Sequence, residues 1–206
     1  MHATCVKLEP YLCINQLGQD VMQDSSTTTE QTTAWDSGAV SEFYTGDTDI
    51  LVVDRQPLDN LGAIVEAGRI HEFVAPVNRE TAGFEVRGGL SELKLKSPEL
   101  AADLINLVNS FLDQFDLKEA KLRIEMTRSQ SCPKFHCDNL DVRLVTTYFG
   151  PTTEYQRAGD STIHSASLGG LVFLKGHKNP SCRDTVHHRS PEVPSGERRL
   201  CVAIDY

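Results

Sequence analysis

The sequence predicts an α+β protein in which a helical front half is followed by a β-rich back half. Three observations carry that prediction. Apolar residues recur at helical spacing at Leu58, Leu61, Ile64 and Val65, and again from Leu100 to Leu112. From Lys118 onward the apolar period changes to two. Turn signals then punctuate the chain at Gly150-Pro151, Gly169-Gly170, Gly176 and Ser195-Gly196. Helices gathered in one part and short strands in another define the α+β class, and several short strands without helices between them suggest a sandwich or barrel.

Residues 1–48 read as an N-terminal extension. Within it, residues 23–35 are rich in Ser and Thr and hold almost nothing apolar, so a flexible or disordered segment is expected there. Residues 49–206 read as one domain. Asp49 to Asp54 (DILVVD) is a short buried strand. The first helix spans about 58–70, starting after Pro57 and weakened near its end by Gly68. The second spans about 98–115. Ser97 supplies its N-cap, Pro98 takes the first helical position and Glu99 places an acid in the first turn. Leu100, Leu104, Leu107, Val108, Phe111 and Leu112 form its core-facing stripe. Over 118–206 the strands are Leu122 to Met126, Val142 to Phe149, Leu171 to Leu174, Thr185-Val186 and Arg199 to Ile204.

Composition narrows the function. A chain of 206 residues, 39% hydrophobic and 24% charged, is long enough for one sizeable core. A net charge of −9 argues against nucleic-acid binding by overall charge. No run approaches the ~18 apolar residues that span a bilayer. The N-terminal residues lack a basic region followed by an apolar one, so a cytoplasmic protein is expected. The six cysteines contain no Cys-x-x-Cys and read as reduced thiols. Charge is unevenly placed: residues 1–117 carry 7 basic and 19 acidic side chains, whereas residues 118–206 carry 13 basic, 10 acidic and five of the seven histidines. Phosphate-loop and Gly-x-Ser-x-Gly motifs are absent.

The chemistry-bearing segment is Cys132-Pro133-Lys134-Phe135-His136-Cys137-Asp138. In an extended chain residues two apart face the same side, so His136 and Asp138 point together. An imidazole and a carboxylate so placed are two ligands of a 2-His-1-carboxylate triad, which leaves open positions on Fe(II). About fifty residues on, Thr185-Val186-His187-His188 is a short strand ending in histidines. Strand neighbours face opposite ways, so one of His187 and His188 completes the triad, and the pattern leaves both open. Arg198 and Arg199 lead the final strand, and one of them can reach inward to a carboxylate as a planar fork. Tyr148 reads either as pocket lining or as a core tyrosine. His164 and His177 fall in or beside turns and carry no assigned role.

The order His-x-Asp, His, Arg is similar to that of the double-stranded β-helix (jelly-roll) oxygenases that use Fe(II) and 2-oxoglutarate. In those families an Arg or Lys shortly beyond the distal His binds the co-substrate carboxylate; Arg198 lies 10 and Arg199 lies 11 residues beyond His188. The phrases Cys-Pro-Lys-Phe-His136-x-Asp138, Arg143-Leu-Val-Thr-Thr-Tyr148, Gly150-Pro-x-Thr-Glu154, His188-Arg-Ser-Pro191 and Arg199-Leu-x-Val-Ala-Ile-Asp205 more closely resemble one bacterial family. That family is catalogued as a domain of unknown function and is often associated with zinc-limitation gene sets. The likeness is strongest from about Arg128 to Tyr206. It implies a jelly-roll core with the N-terminal helices packed on it, and His136, Asp138 and His188 as metal ligands. It also implies Fe(II) and 2-oxoglutarate as cofactors, with chemistry of the hydroxylase or demethylase type. Arg199, which opens an Arg-Leu pair, is the first choice for the co-substrate carboxylate; Arg198, at the commoner spacing, is the alternative, and Tyr148 stands beside them. The substrate, small molecule or protein, is not implied. The competing reading is a non-catalytic zinc-binding or zinc-homeostasis protein. Cys132, His136, Cys137, Asp138, Cys182, His187 and His188 offer the sulfur and nitrogen donors that favour tetrahedral Zn(II).

Overall fold

Alternation in the back half builds sheets, and the helices of the front half cover one face of the larger. The computed structural model describes residues 34–206. In chain order the elements are α1 (Ser37–Thr45), β1 (Ile50–Val53), α2 (Leu61–Ala67), β2 (His71–Val77), α3 (Ala82–Glu92), α4 (Pro98–Gln114) and β3 (Ala120–Thr127). They continue with β4 (Val142–Phe149), β5 (Glu154–Arg157), β6 (His164–Ser165), β7 (Leu171–Lys175), β8 (Val186–Arg189) and β9 (Arg199–Asp205). A six-stranded sheet runs in the order β1-β7-β4-β9-β3-β2, antiparallel at every pairing. A three-stranded antiparallel sheet runs β6-β5-β8. Among the described residues no helix is long and apolar enough to cross a membrane.

The strand period of two gives the large sheet two different faces. Leu122, Ile124 and Met126 of β3, Leu144 of β4, and Leu200, Val202 and Ile204 of β9 join one core with the helices. Into it α4 projects Leu100, Leu104, Leu107, Val108 and Phe111, none with any exposure, each contributing about 1.5–3 kcal/mol by burial. Ser97 caps α4 by accepting from Leu100 N at 3.1 Å, and Pro98 occupies its first turn, as expected. On the opposite face Val145, Val172, Leu174, Cys201 and Ala203 pack with Val186 and Ala166 of the smaller sheet and its approach. The two sheets therefore meet across a second, smaller core.

Two parts depart from the sequence reading. The extension expected over 1–48 lies outside the described residues up to position 33, together with most of the Ser/Thr-rich stretch. Its last part belongs to the domain body. Trp35 is buried edge-on against Phe173 at 5.0 Å, Asp36 caps α1 by accepting from Gly38 N and Ala39 N, and Val40 and Phe43 enter the helical core. Helix α3 was not expected, because Gly83, Gly88 and Gly89 lower its helical propensity. The structure supplies the reason for one of them: a Cβ on Gly89 would lie 2.5 Å from the Phe73 ring of β2. Close approach of helix to sheet is what fixes glycine there.

Candidate metal site

The site forms where the His136 segment meets β8. His136 N donates to His188 O at 3.1 Å and His188 N to His136 O at 2.9 Å, a single antiparallel bridge that extends the smaller sheet. That bridge brings the two rings to 4.5 Å between centroids. His188 Nε2 lies 3.2 Å from Asp138 Oδ2, and His136 Nε2 lies 3.6 Å from Asp138 Oδ1. One donor atom from each of His136, Asp138 and His188 lies within 4.8 Å of the other two.

The surroundings prepare these atoms. His136 Nδ1 lies 2.9 Å from the carbonyl of Lys134. A hydrogen on Nδ1 satisfies that contact and leaves the Nε2 lone pair free, the usual device for orienting a metal-bound imidazole. Arg143 grips Asp205 with two bonds, Nε to Oδ1 at 2.6 Å and Nη2 to Oδ2 at 2.9 Å, and holds its third nitrogen 2.8 Å from Asp138 Oδ2. Asp138 Oδ2 is thus buried between the Arg143 guanidinium and the His188 ring, with no well-aligned hydrogen bond of its own. Burial works against ionisation of Asp138, but the close His188 ring and the Arg143 guanidinium hold its pKa below the ordinary value. Burial also lowers His188, outweighing the pull of Asp138. An ionised carboxylate and neutral imidazoles are the protonation states that metal binding requires. Two imidazoles and a buried carboxylate form a donor set that fits a divalent metal of the iron type.

Beside the cluster is a cavity of about 150 Å3, lined by His136, His188, Arg143, Thr153, Arg199 and Cys201 among others. Arg199, only 2% exposed, donates through Nε to Pro151 O at 2.9 Å and through Nη2 to Thr147 Oγ1 and Thr153 Oγ1 at 3.3 and 3.2 Å. Its Nη1 has no partner, and the guanidinium has no carboxylate partner, among the described residues. Arg189 is occupied, bonded to Glu154 at 2.6 Å and stacked over Phe135.

Several expected residues lie elsewhere. Strand alternation turns His187 away from the cluster, where it pairs with Asp184 at 3.2 Å; His188 is the histidine beside Asp138. Arg198 faces the helices and donates to the carbonyls of Val65 and Gly68 at 3.1 and 2.9 Å, because it sits one residue out of phase with Arg199. Tyr148 is buried on that same helical side, donating to Asp103 Oδ2 at 2.5 Å, and Asp103 in turn holds Arg55. Neither Arg198 nor Tyr148 lines the cavity. The seven side chains of the zinc reading do not converge either: Cys137 faces away from its neighbours His136 and Asp138, toward Cys182 and His177. The sequence reading missed Thr147 and Thr153, which hold Arg199, and Asp205, which braces Arg143. Thr147 shares the inward pleat of Arg143 and Val145, and Asp205 lies directly across from Arg143 in register, so alternation pointed to both.

Two facing antiparallel sheets with a His-Asp-His cluster and a buried arginine between them define a β-sandwich with a metal-competent cleft. The chain belongs to the DUF1826 family of proteins of unknown function, whose family model matches residues 36–205. No curated protein matches it in sequence. Among solved structures it is similar to a Pseudomonas putida prolyl-4-hydroxylase, at 13% identity over 82% of this chain and 96% of that one, with a TM-score of 0.42. It is also similar to a full-length Neurospora crassa protein in complex with alpha-KG, at 12% identity over 82% and 77% of the chains and a TM-score of 0.44. JOX2 in complex with 2OG, Fe and JA matches at 12% identity over 82% and 70%, with a TM-score of 0.43.

Proposed function

We propose that this protein is a non-haem Fe(II)/2-oxoglutarate-dependent oxygenase of the hydroxylase or demethylase type, built on a double-stranded β-helix. His136, Asp138 and His188 are the iron ligands, and Arg199 is the clamp for the co-substrate carboxylate. One observation carries the reading. A buried guanidinium without an anionic partner among the described residues shares a cleft with a His-Asp-His cluster. An uncompensated buried cation is costly, and a bound carboxylate repays that cost with charge-assisted hydrogen bonds.

Iron, when bound, supplies the redox chemistry that couples O2 and a 2-oxo acid to attack on a substrate C–H bond. The chain's own residues do the positioning. Lys134 O orients the His136 ring, Arg143 orients Asp138, and Pro151 with the two threonines fixes the Arg199 fork. Val145, Cys201 and Ala203 give the cavity one apolar wall. At about 150 Å3 the cavity is small beside the ~300–1,000 Å3 that encloses drug-sized ligands. It suits a metabolite-sized co-substrate, with the substrate, small molecule or protein, approaching from the exposed rim at Ser131 and Cys132.

A zinc-binding, non-catalytic role for the same cluster is the second reading, favoured by one contact: Cys132 Sγ lies 3.7 Å from His136 Nδ1. Anaerobic titration with Fe(II), with and without 2-oxoglutarate, separates the two. The visible charge-transfer band of chelated 2-oxo acid is expected in the wild type and lost in His136→Ala. In Arg199→Met the band is lost while iron still binds. No band at all, with tight Zn(II) binding that depends on Cys132, would overturn the oxygenase reading in favour of the zinc one.

A further inference from the structure

We propose that Cys137, His177 and Cys182 form a second, sulfur-rich metal site for a borderline-soft divalent cation such as Zn(II), with its fourth position open to water. The three donor atoms lie within 4.8 Å of one another. Two thiols and one imidazole are a zinc-type donor set, in contrast to the nitrogen and oxygen donors of the first cluster. Bonds of about 2.3 Å to sulfur and about 2.0 Å to nitrogen bring tetrahedral donors within roughly 4 Å, a closure that rotation of the exposed His177 ring supplies.

Strand geometry creates this site. His136 and Asp138 face the first cluster, so Cys137 between them faces the opposite way. There its thiol donates weakly to Lys175 O at 3.6 Å, an arrangement that leaves a sulfur lone pair available. The loop carrying the other two donors is stapled to the same segment. Gly176 N donates to Asp141 O at 2.9 Å, His177 N to Asp138 O at 2.8 Å and Lys178 N to Leu140 O at 3.0 Å. Asn179 ties the loop again, donating from its side chain to Asp141 Oδ1 at 3.0 Å, while its carbonyl accepts from Cys182 N at 3.0 Å. Gly176 makes this approach possible, since a Cβ there would lie 2.2 Å from Leu140 O. The backbone of all three donors is thus held before any ion arrives, which lowers the ordering cost of binding. The segment 136–138 serves two sites from its two faces.

The test uses the full, reduced chain with Cys5, Cys13 and Cys132 changed to Ser, titrated with Co(II). One equivalent is expected to give a thiolate-to-cobalt charge-transfer band with tetrahedral visible absorption, and added Zn(II) is expected to erase it. Cys182→Ser removes the band. His177→Gln, on an exposed turn whose loss leaves the fold intact, weakens binding more than about 100-fold, beyond the effect of removing an outer partner. His136→Ala leaves the band in place, so this result and the fate of the oxygenase reading are separable. Absence of the band in the folded chain overturns the proposal. So does a band that survives both Cys182→Ser and His177→Gln, or one lost in His136→Ala.

Discussion

The two faces of the large sheet are built from alternate residues of the same strands, yet they treat polar groups in opposite ways. On the helical face the conspicuous polar side chains end on protein, with one nitrogen of Arg198 and one oxygen of Asn109 left over. Tyr148 bonds Asp103, Asp103 holds Arg55, and Arg198 closes the end of α2 through two carbonyls. On the inner face Arg199 has no carboxylate partner among the described residues, and Asp138 turns toward two imidazoles an oxygen without a well-aligned hydrogen bond. Saturated polar groups fix a fold. Unsaturated buried ones are tolerated where something else is meant to bind.

The contrast is broken most forcefully through the helical core. Phe111→Ala empties a fully buried ring position of α4 in the core between helices and sheet and is expected to cost about 3–5 kcal/mol in urea unfolding. The same variant, below its unfolding midpoint, is expected to keep the Fe(II) and 2-oxo acid signal, because the cleft lies on the other side of the sheet. Loss of that signal in the still-folded variant would show that the two faces are not independent.

Adjacent arginines give the sharpest form of the comparison. Arg198→Met strands the carbonyls of Val65 and Gly68 and is expected to destabilise by about 1–3 kcal/mol, with co-substrate binding intact. Arg199→Met removes a buried charge that has hydrogen bonds but, among the described residues, no counter-ion. Its lost bonds and its relieved desolvation nearly offset, so stability is expected to stay within about 1 kcal/mol of wild type. Binding of 2-oxoglutarate, followed calorimetrically on the iron-loaded chain, is expected to disappear in that variant. If the two substitutions have the same profile, the division between faces is wrong.

Much of this division was legible in the sequence. The α4 stripe, the strand Val142 to Phe149 and the pairing of His136 with Asp138 all follow from periodicity, which is local. The order His-x-Asp, His, Arg narrowed the cleft to a few residues. Period alone did not choose between Arg198 and Arg199 or between His187 and His188, because phase depends on where a strand begins, and boundaries are set by tertiary pairing. Tyr148 obeys the pleat, sharing the helical face with Leu144 opposite Val145, so alternation already separated it from the arginine cleft and only the family resemblance set it there. Helix α3 was hidden by glycines that only its contact with Phe73 explains. His177 was passed over because a turn residue acquires meaning only when the loop is stapled to Asp138 and Asp141.

The smallest expected effect tests whether the inner side is open throughout or only at the site. Asp49, 2% exposed at the start of β1, accepts from Arg183 N at 2.9 Å and from both Thr185 N and Thr185 Oγ1 at 2.7 Å. It therefore anchors the chain just before β8 delivers His188. Burial alone would raise its pKa, but these bonds, with Thr185 first and the Lys175 charge behind them, hold it below 3.8. A carboxyl whose folded pKa is depressed contributes its stability above the unfolded value and loses it as pH falls through the folded one. Asp49→Asn keeps one acceptor oxygen and is expected to cost about 1–2 kcal/mol at neutral pH. The difference in urea midpoint between wild type and variant is expected to stay constant from neutrality down to the unfolded pKa of 3.8 and to shrink below it. A difference that grows as acid is added would mean that Asp49 is buried at a net cost, and that the strain of the site extends to the strand that carries its distal histidine.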